Sequence, residues 1–142
     1  MPSEPDLGRL LLEAQRALAA ELTLTLEERG YPDLRPGHAA VFLHVDRRSG
    51  SRLSDLAARA RVSKQSMMLT VDELETRGYV RRAPDRDDAR AKLVKLTTRG
   101  RTAAAECRRA VQAVETGARR QLGDRGYVQL RDGLSELGAG EG

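Results

Sequence analysis

The chain has 142 residues and a mass of 15.6 kDa, one domain's worth of material and enough to bury a sizeable core. It is 39% hydrophobic and 32% charged, with a mean hydropathy of −0.55, the mix of globular proteins rather than disordered or membrane ones. No apolar run approaches the roughly 18 residues of a membrane span. The opening MPSEPDLGRL has acids and prolines where a secretory leader has a basic start and an apolar stretch, so the expected location is the cytoplasm, with no membrane partner. One cysteine, Cys107, excludes an intrachain disulfide, and with only two histidines neither a metal site nor any cofactor is expected.

The net charge is +4, and its distribution says more than its sum. Residues 51–101 hold 13 Lys/Arg against 7 Asp/Glu, a net of +6, and the remainder of the chain carries a net of −2. A cationic middle between acidic flanks is what a module facing a polyanion shows. Charge alone does not separate that reading from an ordinary solvated surface. Aromatics are scarce (no Trp, one Phe, three Tyr), so the core must come from Leu, Val and Ala, which suits helices.

From Leu7 to Arg29, Leu7, Leu10, Leu11, Ala14, Leu18 and Leu22 recur at helical spacing; Asp6 is placed to cap the start and Gly30 to stop the end. Residues 30–36 form a loop, with Pro36 suited to the first turn of a second helix that carries Ala39, Val41, Phe42 and Val45 and ends by residues 47–50. Ser54 is placed to cap a short third helix holding Leu56, Ala57 and Ala60. After a tight turn at Arg61 and Val62, Ser63 caps a fourth helix with Met67, Thr70 or Val71, and Leu74 inward, and Gly78 closes it. Two helices joined by so short a turn predict a helix-turn-helix. The period then shifts toward two: residues 79–82 and 92–96 read as the strands of a β-hairpin, with a charged tip at 84–90. Thr97 or Thr98 caps a long helix with Cys107, Val111, Val114, Ala118 and Leu122 on one stripe. Asp124 starts a last helix with Tyr127, Leu130, Leu134 and Leu137 on one side. The expected fold class is mainly α with a small β-hairpin: a winged helix-turn-helix flanked by N- and C-terminal helices.

The physical logic of that order is DNA reading. An α-helix fits the major groove of B-DNA, where base pairs display distinguishable donors and acceptors, and a hairpin tip can follow the backbone to a minor groove whose potential attracts arginine. Lys64, Gln65, Ser66, Met68 and Leu69 lie early in the fourth helix, opposite its apolar side. Gln65 suits adenine, Lys64 suits guanine or phosphate, Ser66 is permissive, and Met68 or Leu69 can meet a thymine methyl.

These residues carry a resemblance. Leu53-Ser54-Asp55-Leu56-Ala57, then Val62-Ser63-Lys64-Gln65-Ser66-Met67, then the run from Asp72 to Arg82 resemble the MarR family of bacterial and archaeal regulators. The most specific part is the stretch from Asp85 to Gly100: an Asp-x-Arg at the wing tip (Asp88, Arg90), a Leu96-Thr97 pair, and a glycine where the hairpin enters the next helix. The resemblance implies that residues 1–142 form a single domain of this type. Residues 51–101 are then the DNA-binding module, and 7–48 and 102–137 the helices of the core and dimer interface.

It also implies roles. Ser63 to Leu69 correspond to the major-groove end of the recognition helix, Arg90 to the wing arginine that enters the minor groove, Asp88 to the acid that fixes the wing, and Arg86 to a phosphate or groove partner. Two positions depart from the family, which often has a basic or polar residue at Leu69 and a basic one at Glu73. Asp72 and Glu73 repel phosphate if they face the groove, so direct base readout is expected to be thinner here, with more weight on the wing and on DNA shape. The leucine stripes of the first and last helices are the sort of surface that such proteins bury in a two-fold homodimer; the alternative is that they close an intramolecular core.

Family resemblance places a small-molecule effector, aromatic or anionic, between the dimer helices and the winged helix, with Arg16, His38 and Phe42 as candidate lining residues. Cys107, on an apolar stripe, reads as a buried small hydrophobe. No phosphate-cradling glycine loop, nucleophile motif or catalytic His arrangement is present, so no enzyme is expected. Two functions follow. One is a homodimeric regulator, a repressor of MarR type, binding double-stranded DNA at a pseudo-palindromic operator and relieved by an effector. The other is a winged-helix protein-interaction adaptor that has lost DNA binding, motivated by Leu69, Asp72 and Glu73.

Overall fold

Five helices and a small antiparallel sheet make up residues 3–140, the part of the chain that the computed structural model describes. In chain order they are α1 (Leu7–Glu28), α2 (Pro36–His44), β1 (Ser51–Arg52), α3 (Leu53–Ala60), α4 (Lys64–Thr76), β2 (Val80–Pro84), β3 (Lys92–Leu96) and α5 (Thr98–Ala139). The class is mainly α with a small sheet, as the sequence predicts.

The helix boundaries follow from capping. The Asp6 carboxylate accepts from the Arg9 N–H, and Gly30 (φ +92°) takes the left-handed position that ends α1. Pro36 opens α2 at a position where its missing N–H costs nothing. That helix stops at His44, earlier than the sequence suggests. The Asp46 carboxylate accepts from the N–H groups of Arg48 and Ser49, which stabilises a turn in place of further helix. Thr97 caps α5 by accepting from the Gly100 N–H.

Ser54 does not cap α3. Ser51 and Arg52 pair with β3 (Ser51 opposite Val94, Arg52 opposite Leu93), so the backbone stays extended through Arg52 and the helix starts at Leu53. The predicted hairpin is thereby a three-stranded sheet of order β1-β3-β2. A two-residue strand is too short to show any periodicity, which is why the sequence hides it.

The core lies where α2, α3, α4 and the first half of α5 meet the sheet. Phe42 and Tyr79 pack edge to face at 5.8 Å and 89°. Val41, Leu56, Val71, Leu74 and Cys107 are fully buried around them. Burying each such aliphatic side chain is worth about 1.5–3 kcal/mol. The Tyr79 hydroxyl is buried but not orphaned: it donates to the Asp33 carboxylate at 2.9 Å and accepts from Arg99 at 3.1 Å.

Gly123 breaks α5 into two limbs. Its φ of 77° and ψ of 159° are not helical, and the limb beyond it folds back along α1. Among the 22 residues of α1 only Leu26 is buried. Leu7, Leu10, Leu11 and Leu18 on α1 and Leu130, Leu134 and Leu137 on the second limb remain exposed, so these stripes do not close an intramolecular core. The accessible surface is 10103 Å². A compact monomer of this mass exposes roughly 7,200 Å².

Candidate nucleic-acid interface

The turn between α3 and α4 is built by hydrogen bonding. Arg61 adopts the left-handed conformation (φ 54°, ψ 44°), which lets the Val62 N–H reach the Ala57 carbonyl and its own N–H reach that of Ala58. Ser63 then caps α4 through its hydroxyl, which accepts from the Ser66 N–H at 3.0 Å. Met67, Val71 and Leu74 are buried at four- and three-residue spacing. Helix geometry therefore turns Lys64, Gln65, Ser66, Met68 and Leu69 to solvent, with Met68 42% and Leu69 58% exposed. Met68 and Leu69 thus present apolar surface to solvent on an otherwise polar helix end.

The wing is anchored twice. In the strands, Val80 lies opposite Leu96 and Pro84 opposite Lys92. At the tip, Asp85 accepts from the Asp87 N–H with one oxygen, and with the other from the Arg52 guanidinium at 2.9 and 2.7 Å. The Asp87 N–H and then Arg52 hold its carboxyl below the ordinary aspartate value. The Asp88 carboxylate accepts from the Arg90 N–H at 3.0 Å, a local turn that shapes the loop from within. Arg86 and Arg90 project into solvent, and neither guanidinium forms an ion pair among the described residues.

The two elements share a cleft. A cavity of about 400 Å³ lies between the start of α4 and the wing, lined by Arg52, Ser54, Lys64, Arg82, Arg90 and Lys92. Arg52 and Arg82 are ion-paired; Lys64, Arg90 and Lys92, which form no ion pair among the described residues, concentrate positive potential where a phosphate backbone can sit. Arg52 and Asp85 are the residues sequence reading misses, because their pairing depends on the two-residue β1.

The acids of α4 do not face this cleft unpartnered. Arg82 forks between Asp72 and Glu75, at 2.7 Å from each, and Glu73 meets the His38 ring at 2.7 Å. These partners hold the carboxylates toward the body of the fold and the base of the wing.

The candidate effector residues do not converge. Phe42 is fully buried against Tyr79, and His38 is buried with both ring nitrogens engaged, while Arg16 is exposed on α1. The apolar cavity lies elsewhere, about 570 Å³ between α1 and the two limbs of α5. Leucines, valines and alanines wall it together with Pro36; Gln15 and Glu115 are its polar side chains, and no cation lines it. Cys107 is fully buried, and burial, helped by Glu106, pushes its thiol up to about 11.

Residues 33–91 match the model of the MarR family. No curated protein matches the sequence. Solved structures do. CouR from Rhodococcus jostii RHA1, bound to p-coumaroyl-CoA, is 27% identical over 93% of this chain and 91% of its own, with a TM-score of 0.77. MepR of S. aureus in complex with DNA shares 17% identity over 96% of this chain and 99% of its own, at a TM-score of 0.85. A mutant MarR of E. coli with operator DNA shares 23% over 92% of each chain, at 0.81. The last two likenesses establish the fold.

Proposed function

We propose that the chain is a MarR-family, sequence-specific DNA-binding transcriptional regulator, a repressor that binds a pseudo-palindromic operator as a homodimer and is relieved by a small-molecule effector. In this reading residues 51–101 are the DNA-binding module. The face of Ser63, Lys64, Gln65, Ser66, Met68 and Leu69 enters the major groove. Arg90, shaped by Asp88 and flanked by Arg86, enters the minor groove. The observation that carries it is the shared cleft, in which Lys64 at the head of the helix and Arg90 on the wing line one cationic concavity. A single duplex can then meet both elements at once.

Two further observations support the assembly and its control. The exposed leucine stripes of α1 and the second limb of α5, and the surface in excess of a compact monomer, fit an extensive symmetric contact between the flanking helices. Two modules about 34 Å apart read successive turns of one duplex face and multiply the affinity of each. The cavity between α1 and α5 offers an effector an apolar seat beside those helices; it suits an aromatic or aliphatic body better than an anionic head. We read the chain as a binding protein, not an enzyme, acting in the cytoplasm. No helix among the described residues is long and apolar enough to cross a membrane.

The test is binding to a duplex carrying the promoter of its own gene, followed by fluorescence anisotropy across a salt series. Arg90→Ala should weaken binding about 10- to 100-fold, a loss typical of one groove-inserted arginine. Unchanged affinity at physiological salt refutes the wing's role. Absence of any binding at low salt supports the adaptor reading, which the engagement of Asp72 by Arg82 and of Glu73 by His38 otherwise deprives of two of its three grounds.

A further inference from the structure

The loop before α2 and the first turn of α2 grip the rear of α4 at two points one helical turn apart. At the first, the His38 ring meets the Glu73 carboxylate at 2.7 Å. At the second, the Arg77 guanidinium donates to the Asp33 carbonyl, and the neighbouring Tyr79 hydroxyl donates to the Asp33 carboxylate. All three α4-side residues lie in or beyond the C-terminal half of the helix; its N-terminal half is the exposed reading face.

The His38 contact has a fixed chemistry. Nδ1 accepts the Arg35 N–H at 3.0 Å, so it carries no proton. The neutral ring's one proton is therefore on Nε2, where it donates to Glu73. The ring is only 5% exposed, and Pro36 stiffens the backbone beside it. A buried ring with both nitrogens committed is a rigid spacer of defined length. Glu73 lies on the flank of α4, away from the buried line of Met67, Val71 and Leu74. Apolar packing along that line tolerates small rotations of a helix about its axis. An off-axis hydrogen bond does not.

We propose that His38 is a positioning residue for DNA reading: through Glu73 it sets the rotation of α4, and so decides which of Lys64, Gln65, Ser66 and Leu69 reach base edges. This rests on the DNA-binding reading above and adds a specificity-determining residue that touches no DNA. Loss of the contact should spare non-specific binding, which depends on charge, and degrade discrimination, which depends on the angle of presentation.

Two substitutions separate the two ends of the ring. His38→Asn keeps an acceptor near the Nδ1 position for the Arg35 N–H but falls short of Glu73. His38→Gln carries a donor toward Glu73 and gives up the Arg35 bond. Neither changes the charge of the neutral site. Affinities are measured for a duplex that the wild-type protein selects from a random pool and for a scrambled duplex of equal composition, with thermal melting alongside. His38→Asn should raise Kd for the selected duplex about tenfold, the cost of a mismatched base pair, and leave the scrambled Kd and its salt slope unchanged. His38→Gln should recover most of that loss. Should His38→Asn fail to fold, Glu73→Ala, which removes the acceptor of the Nε2–H, is the second route; the charge it removes acts on both duplexes alike, and its selected-to-scrambled ratio should fall severalfold. An unchanged ratio, or parallel losses on both duplexes, overturns the proposal. A wild-type protein that prefers no duplex overturns this inference and the DNA-binding reading together.

Discussion

Gly100 stands where the wing hands over to α5, and replacing it tests the packing of that joint. A Cβ built there meets the Tyr79 carbonyl oxygen far inside contact distance and the carbonyl carbon at 2.9 Å. The obstacle is backbone, and it is pinned: that oxygen accepts from the Thr97 N–H and the Thr97 hydroxyl, each at 3.1 Å. Over-packing against yielding side chains costs about 1–3 kcal/mol. Here the carbonyl must also retreat from two hydrogen bonds worth about 1 kcal/mol each. The helix gains back at most about 1 kcal/mol from exchanging glycine for alanine. Gly100→Ala should therefore destabilise by about 2–4 kcal/mol, read as a lower urea midpoint and a melting temperature lower by roughly 10 °C. Gly117→Ala, in the same helix with nothing within 4 Å of its Cβ, is the control and should stabilise by about 0.5–1 kcal/mol. If both alanines shift stability the same way, the close approach of α5 to Tyr79 is not what makes Gly100 necessary.

Asp85→Asn should loosen the wing tip, weakening operator binding several-fold in anisotropy while the melting temperature moves little. Because Asp85 titrates below its ordinary 3.8, its contribution is present above that value and lost as pH falls through the depressed one. Any gap in urea midpoint between wild type and Asp85→Asn should accordingly narrow as pH is lowered below 3.8; a gap that widens contradicts the Arg52 pairing. Cys107, its thiol raised to about 11 by burial, should resist thiol reagents at pH 8 in the native protein and react on unfolding. Rapid native labelling would show that the core around it is open.

The parts legible in the sequence are those with local causes. Ser63, Gly78 and Thr97 act through capping chemistry that operates within a few residues, and the inward line of Met67, Val71 and Leu74 is a periodicity one can count. Gly100 was visible as a motif position, though its reason, a carbonyl from another element, was not. What stayed hidden is what tertiary contact decides. Two residues of β1 carry no period, and without them Arg52 has no evident claim on Asp85. Asp72 and Glu73 looked like obstacles to phosphate because their partners, Arg82 and His38, lie 10 and 35 residues away. The position of the apolar cavity depends on how the last limb folds back, which turns on one backbone conformation.

That conformation is the dihedral pair of Gly123, in a region that side chains other than hydrogen essentially do not enter. Any substituent there favours continuing the screw of the preceding turns. The 42-residue segment would then run as a single rod about 63 Å long, carrying Leu130 and Leu134 off the face of α1. With them would go the walls of the cavity and half of the leucine surface, so one hydrogen atom in place of a methyl group decides whether the flanking helices enclose a hollow or stand apart.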